Sequence, residues 1–404
     1  MEKPSRASAG KPELLFISPE APWPMMGGGA MRTASLLEYL ARRFAVDLVL
    51  FAEEGKPNPA AALPESLVRD VRTVRLPRHD KTIPAKFGRN LSRYLRSRPP
   101  LLDRFSGFER ELTEILAGRR YSVGVVEHFW CAPYVDLLQR QCREVWLDLH
   151  NVESVWHERV AGATGAFLRP ALRRFAEASR ELERELLPRF SRILVTSKID
   201  ADQIAQAVGT SRIVVYPNAL PWIELPKGGK EESIIFTGNL EYAPNVSAIK
   251  WFARRVWPRL REWRPELMWR IVGTNPREIG RYIKDEKRVE VTGPVRNAIE
   301  ELARARVAVV PVLAGSGTRF KVIEAWAAGT PVVSTGIGVE GLCAEHGVNA
   351  LIADTAEEMS EAIAGLLGCE QMAMAVGAAG RRTYEERYTW AHAWSALERA
   401  DTPC

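Results

Sequence analysis

Short apolar runs alternate with stretches of helical periodicity along most of the chain, as in parallel α/β layers, where strands are covered on both faces and helices on one. In the first half the pattern predicts strands at Glu13–Ser18, Val46–Phe51, Val71–Arg75, Ser122–Glu127, Glu144–Leu149 and Ile193–Thr196. In the second half it predicts them at Ser233–Thr237, Met268–Val272, Val289–Val291, Val307–Val312, Pro331–Ser334 and Ala350–Ile352. Helices are expected at Met31–Arg43, Val246–Trp263, Ile299–Ala305, Arg319–Ala328 and Ala356–Leu367, with a long helical stretch over Val152–Leu187 bent near Pro170. Between the halves, Pro217 to Lys230 is rich in Pro, Gly and charge and has little periodicity, which suits an interdomain linker. The expectation is two Rossmann-like α/β domains, residues 1–217 and 218–387.

Composition narrows the class. At 404 residues the chain can bury two cores, and 46% hydrophobic with 26% charged residues is ordinary for a globular protein. No apolar run reaches the ~18–20 residues of a spanning helix, and no signal peptide precedes the first strand. The first twelve residues are polar and are expected to be disordered. Cys131, Cys142, Cys343, Cys369 and Cys404 are scattered, with no C-x-x-C and no histidine at ligand spacing. That pattern points to reduced thiols, a cytoplasmic setting and no structural zinc. A formal net charge of +6 suits an anionic small molecule or an anionic membrane face and is too weak to point to nucleic acid.

The stretch from Gly315 to Thr335, G-S-G-T-R-F-K-V-I-E-A-W-A-A-G-T-P-V-V-S-T, carries most of the chemistry. It follows an apolar run that reads as a buried strand. Gly315, Ser316, Gly317 and Thr318 let the backbone approach a ligand closely, and the helix after them opens with unpaired N–H groups, a seat for phosphate. With the helix running from Arg319, a residue turn of about 100° puts Gly317 about 20°, Lys321 about 60° and Arg319 about 140° from Glu324. Lys321 then reaches a diphosphate, while Glu324 accepts from two ribose hydroxyls. A Lys–Glu pair on a solvated helix is the plainer alternative.

These residues resemble the donor-site signature of glycosyltransferase family 4, retaining enzymes of the GT-B fold. The family shows a Glu, seven residues, then a second Glu opening E-A-x-A-x-G-x-P-V-V. Glu324-Ala-Trp-Ala-Ala-Gly-Thr-Pro-Val-Val matches the second half closely, whereas the first acidic position falls on Ser316. The resemblance implies two Rossmann-like parallel-sheet domains facing across a cleft. It also implies that the final helix, with Trp390 and Trp394, packs back on the first domain through residues 388–404. Those tryptophans could equally cap the second domain's own core.

Other positions take meaning from the same resemblance. Relatives hold the diphosphate with a basic residue where this chain has Asn239 and a Lys where it has Pro244 or Asn245, so the cation must come from Arg319 or Lys321. Thr292-Gly-Pro-Val295 matches the place where relatives hold the base through backbone groups. Met25-Met-Gly-Gly-Gly-Ala-Met-Arg32 forms a second glycine loop after a first strand, with Gly28 and Gly29 expected to face donor phosphates or acceptor. A mere tight turn is the alternative. His128 and His150 end strand-like runs, at the edge where parallel sheets bind ligands, and Asp148-Leu-His-Asn-Val-Glu153 resembles the family's cleft-lining H-N-V-E. A basic stretch, Lys86 to Arg98, mixes apolar and cationic residues with no acid. It suits an anionic membrane face presenting a lipid-linked acceptor, or an ordinary solvated helix.

The expected activity is transfer of a hexosyl unit from a nucleoside diphosphate sugar to a glycan, lipid-linked or small-molecule hydroxyl acceptor, with no cofactor beyond the donor itself. Retention of configuration follows from the resemblance. No Asp-x-Asp motif appears, so no metal is expected, and helix dipoles with Lys or Arg would neutralise the phosphates. His128, His150 and Glu324 are the candidate catalytic residues, and the setting is cytoplasmic or peripheral to the inner membrane face, in polysaccharide or glycoconjugate synthesis. A non-catalytic nucleotide-sugar sensor and a GT-B epimerase or phosphorylase remain the alternatives.

Overall fold

In a computed structural model, residues 10–401 apart from 81, 284 and 285 are described. Most of the polar N-terminal stretch, Cys404 and the end of the 388–404 segment lie outside them. The chain divides into two compact units, one running to Tyr216 and resuming at Ala396, the other spanning Pro217–Ser395.

The first unit is built on a seven-stranded sheet: β1 (Glu13–Ser18), β2 (Ala45–Glu53), β3 (Asp70–Leu76), β4 (Tyr121–Glu127), β5 (Cys142–Leu149), β6 (Arg192–Val195) and β7 (Ile213–Val215). The order is β3-β2-β1-β4-β5-β6-β7, and every pairing is parallel. Central β1 pairs Phe16 with Leu48 on one side and Val125 on the other. Its run Leu14-Leu-Phe-Ile17 is buried throughout, because helices cover both faces of a parallel sheet.

The second unit holds β8 (Glu231–Thr237), β9 (Met268–Val272), β10 (Val289–Thr292), β11 (Ala305–Val310), β12 (Val332–Ser334) and β13 (Leu351–Ile352), in the order β10-β9-β8-β11-β12-β13. Its pairings are parallel too. Trp269 anchors its core against Phe252 and Trp257, with ring centroids 4.7 and 5.7 Å away. In each sheet the chain reverses its winding at one point, between β1 and β4 and between β8 and β11. Within each sheet, the loops leaving the carboxyl ends of the two strands at that point lie where such sheets take ligands.

Local chemistry moved several helix boundaries. The Val152–Leu187 stretch is two helices, Glu153–Ala163 and Arg169–Leu186, rather than one bent at Pro170. Pro170 lies in the first turn of the second, where its missing N–H is not needed. Val246–Trp263 likewise divides into Ala243–Arg255 and Trp257–Trp263, with Pro258 in the opening turn of the second. The first helix begins at Gly28 instead of Met31, so Gly28 and Gly29 form its first turn rather than a loop before it. The short strand β7 was not expected, its apolar run being only three residues long. Within the second unit, the Trp390 indole donates to the Ala219 carbonyl at 3.2 Å, and its ring lies 5.9 Å from that of Trp394. Among the described residues no single helix is long and apolar enough to cross a membrane.

Candidate active site

In the second unit, the site grows from the two strands at the switch point. After β11 the chain turns through Gly315, at φ 126°, and Gly317, at φ 73°, before the Phe320–Ala327 helix. A side chain at Gly315 would be strained and would meet the Arg319 guanidinium at 2.9 Å. Arg319 is the N-cap residue, in extended conformation, so the helix starts one residue later than expected. The phase angles assigned to Gly317 and Arg319 therefore do not apply. The Arg319 guanidinium turns back into the loop and donates to the carbonyls of Ser316 and Gly317, the latter at 2.8 Å. The Ser316 and Thr318 hydroxyls are buried with no hydrogen-bond partner.

Lys321 and Glu324 do lie within the helix, three residues apart, and both point at the end of β8. The Lys321 ammonium donates to Asn245 Oδ1 at 2.6 Å and stands 4.7 Å from the centre of the Phe236 ring. Asn245 in turn donates to the Asn239 carbonyl at 2.8 Å, while the Asn239 side chain caps its own turn by accepting from the Glu241 N–H. Glu324 accepts from Thr237. Gly273 on the neighbouring loop has no room for a side chain, since a Cβ there would fall 1.7 Å from the Gly238 carbonyl oxygen. Burial pushes Lys321 down to about 7, aided by the charge of Arg319 and opposed by Glu324, and burial raises Glu324. A cation poised to lose its proton and a carboxylate poised to gain one stand three residues apart on one helix.

The first unit gathers a denser polar cluster. Register pairs Glu127 with Asp148 at the ends of β4 and β5. Both carboxylates are fully buried, so each must be paired. Asp148 takes a bidentate bond from Arg32 (3.0 and 2.9 Å from Nε, 2.5 Å from Nη2), and Arg32 also donates to the Tyr216 carbonyl at 2.6 Å. His150 Nε2 donates to Glu127 Oε2 at 2.5 Å and lies 3.2 Å from Asp148 Oδ2. The other Glu127 oxygen has no partner. His128 sits at φ 62°, a strained conformation of the kind that gathers at functional sites. Its ring lies between those of His150, 3.6 Å away, and Trp130, 4.1 Å away. Trp130 and Asn151 donate to Glu153 at 2.8 and 2.9 Å, which ties the His150-Asn-Val-Glu153 segment together.

Electrostatics separates the two imidazoles. Burial opposes a charge on His150, but the Glu127 and Asp148 carboxylates outweigh it and push His150 up to about 9. Burial and the neighbouring imidazolium hold His128 well below the usual histidine range. Burial and Asp148 raise Glu127, and burial pushes Glu153 up to about 7. His150 Nδ1, His128 Nε2 and Glu20 Oε2 converge on Gly29, each 3.8–3.9 Å from where its Cβ would stand. That corner offers a charged donor, a neutral imidazole and a carboxylate to one small polar group. Glu127, His128 and His150 also bring one ligand atom each within 4.8 Å of one another. A cation there would first have to displace the proton that two carboxylates hold on His150.

The structure thus brings together Gly29, His128 and His150 in one unit, and Asn239, Lys321 and Glu324 in the other beside the Gly315–Thr318 loop. Gly28 opens the first helix, and half-buried Val295 lies in the loop after β10. Sequence reasoning gave no role to Glu20, Arg32 or Glu127, and named Asp148 only as part of the run that resembles the family's cleft-lining segment. The signal was a charge within the apolar carboxyl-terminal half of each of two strands, Glu127 after Val125-Val126 and Asp148 between Leu147 and Leu149.

Comparison with known proteins gives the family. Residues 27–219 match the family described as "Glycosyl transferase 4-like domain", and residues 231–369 match "Glycosyl transferases group 1". The chain belongs to the group 1 glycosyltransferases of the GT-B fold. This glycosyltransferase-family chain superposes on sucrose-phosphate synthase from Thermosynechococcus elongatus with a TM-score of 0.72 and 17% identity, covering 96% of this chain and 98% of that one. Anabaena Alr3699/HepE, in complex with UDP and glucose, is similar with a TM-score of 0.65 and 13% identity over 96% and 98% of the two chains. An "Uncharacterized 44.6 kDa protein in cps region" of Klebsiella pneumoniae is 22% identical over 357 residues, 85% of this chain and 87% of that protein.

Proposed function

We propose that this protein transfers a hexosyl unit from a nucleoside diphosphate sugar to a hydroxyl acceptor, with retention of configuration and without a metal ion, at the cytoplasmic membrane face. The observation that carries this reading is the Lys321–Glu324 pair, a cation and a carboxylate three residues apart on one helix beside a glycine-rich turn. Glu324 accepts the ribose hydroxyls, and Lys321 meets the diphosphate together with N–H groups at the start of the Phe320–Ala327 helix. As the sugar departs, the bond from the anomeric carbon to the diphosphate oxygen breaks and the acceptor oxygen bonds to the same carbon from the same face. The acceptor proton passes to the leaving diphosphate. Charge develops on that diphosphate, so Lys321 acts most strongly in the transition state. The Gly29 corner, with His150 charged and His128 neutral, orients hydroxyl groups of sugar or acceptor.

Support for a UDP-linked donor comes from Alr3699/HepE, which was solved in complex with UDP-glucose, and from Staphylococcus aureus TarM, solved with UDP. A place in surface polysaccharide synthesis is supported by the cps-region relative. A second reading draws on Ser316, which stands where the family pattern has a Glu and whose hydroxyl has no partner: the protein would bind the sugar nucleotide and not turn it over. Isothermal titration with UDP-glucose and other sugar nucleotides, followed by product analysis over an acceptor panel, tests both. Donor binding with transfer supports the enzyme, tight binding without transfer supports the second reading, and no binding of any sugar nucleotide refutes both.

A further inference from the structure

The helix Ile83–Leu95 is turned inside out. Its one deeply buried polar side chain, Arg93, reaches inward to Asp103 at 2.9 Å, while Phe87, Leu91 and Leu95 stand 67%, 46% and 66% exposed. Those three recur at four-residue spacing, so they form one stripe along the helix. The Arg169–Leu186 helix abuts the end of this one. Arg174 of that helix donates to the Leu95 carbonyl and to Ser97, and immediately before the helix Phe167 is 93% exposed and Leu168 55%. A soluble helix puts its apolar stripe inward, and a folded protein leaves such a patch open where something covers it in use.

Charge says what covers it. Besides the inward Arg93, residues 83–98 contain Lys86, Arg89, Arg96 and Arg98 and no acid, and residues 164–176 contain Arg169, Arg173 and Arg174 and no acid. A second copy of this chain would bring these cations against themselves. Aromatic and leucine side chains framed by Lys and Arg match an anionic lipid surface, where rings enter the acyl boundary and cations meet headgroups. We propose that this face of the first unit docks on an anionic membrane through Phe87, Leu91, Leu95, Phe167 and Leu168. The proposal does not rest on the transfer reaction, because none of these residues lies in either polar cluster.

Flotation of the full chain with vesicles tests it. Binding is expected to phosphatidylcholine vesicles carrying about 30% phosphatidylglycerol and not to phosphatidylcholine alone, and to weaken as salt rises. Phe87→Ser or Phe167→Ser is expected to weaken it about tenfold or more, and Lys86→Ala or Arg173→Ala about fivefold. Melting temperatures should be unchanged in all four, which shows that they are folded. No vesicle binding, equal binding to both vesicle types, or full binding by the serine variants overturns the proposal. A concentration-dependent dimer by light scattering that Phe87→Ser abolishes would also overturn it, in favour of a second copy.

Discussion

Replacing Lys321 with arginine is expected to remove a pH dependence from donor binding. The Lys321 ammonium stands against the Phe236 ring and has Asn245 Oδ1 as its hydrogen-bond partner, and burial with the nearby Arg319 charge brings it down to about 7. At pH 8 about nine in ten of these side chains are neutral in the free protein, and each further pH unit changes the ratio tenfold. A sugar nucleotide must restore the proton before the cation can meet its phosphates, which costs about 1.4 kcal/mol at pH 8. Kd for UDP-glucose should therefore be nearly flat below pH 7 and rise about 25-fold from pH 6.5 to 8.5. The donor's own phosphates do not titrate in this range. Titration calorimetry in buffers of different ionisation enthalpy should show uptake of close to one proton at pH 8. Arginine keeps its charge throughout, so Lys321→Arg should bind with a flat profile, and Lys321→Ala with a flat and weaker one. A wild-type Kd independent of pH, or an arginine variant that keeps the slope, would refute the placement of Lys321 at the diphosphate.

Glu324→Gln should lower kcat/KM for the donor by about 10- to 150-fold, the worth of a charge-assisted hydrogen bond, with an unchanged melting temperature; near-normal kinetics would remove Glu324 from the site. Asp148→Ala leaves buried Arg32 without its counter-charge and is expected to cost about 3–5 kcal/mol of stability, read as a lower urea midpoint. His150 is raised from 6.5 to about 9 in the folded state, so its stabilising contribution is complete below pH 6.5 and lost as pH rises through 9. Urea midpoints across that window should decline in the wild type and not in His150→Asn. Gly29→Val should block turnover and leave UDP-glucose affinity intact, since its methyl groups crowd Glu20, His128 and His150 while the nucleotide site we propose lies in the other unit; undiminished turnover in the folded variant would show that the corner has no part in the reaction. Activity is expected to survive EDTA, and a loss restored only by Mg²⁺ or Mn²⁺ would overturn the metal-independent reading.

The strands were legible in the sequence because a parallel strand covered on both faces must be a continuous apolar run. Glu13–Ser18 and Met268–Val272 were read to the residue, whereas three-residue β7 carried too little pattern to separate from a loop. The helix that carries Glu324 was also legible, since E-A-W-A-A-G-T-P-V-V fixes a helix and its exit. Helix starts were less so. Whether Arg319 begins the helix or caps it depends on where its guanidinium finds acceptors, and it finds them in the loop it leaves. The Glu127–His150–Asp148–Arg32 cluster lay beyond any local reading. Its members come from three separate segments, and only the register of β4 against β5 sets two carboxylates side by side. Once they are adjacent in a dry interior, an arginine and an imidazolium must neutralise them, and that requirement fixes the charge of His150. Sequence alone determined which residue types stood at the strand ends; strand order and burial decided which of them meet and which carry a proton.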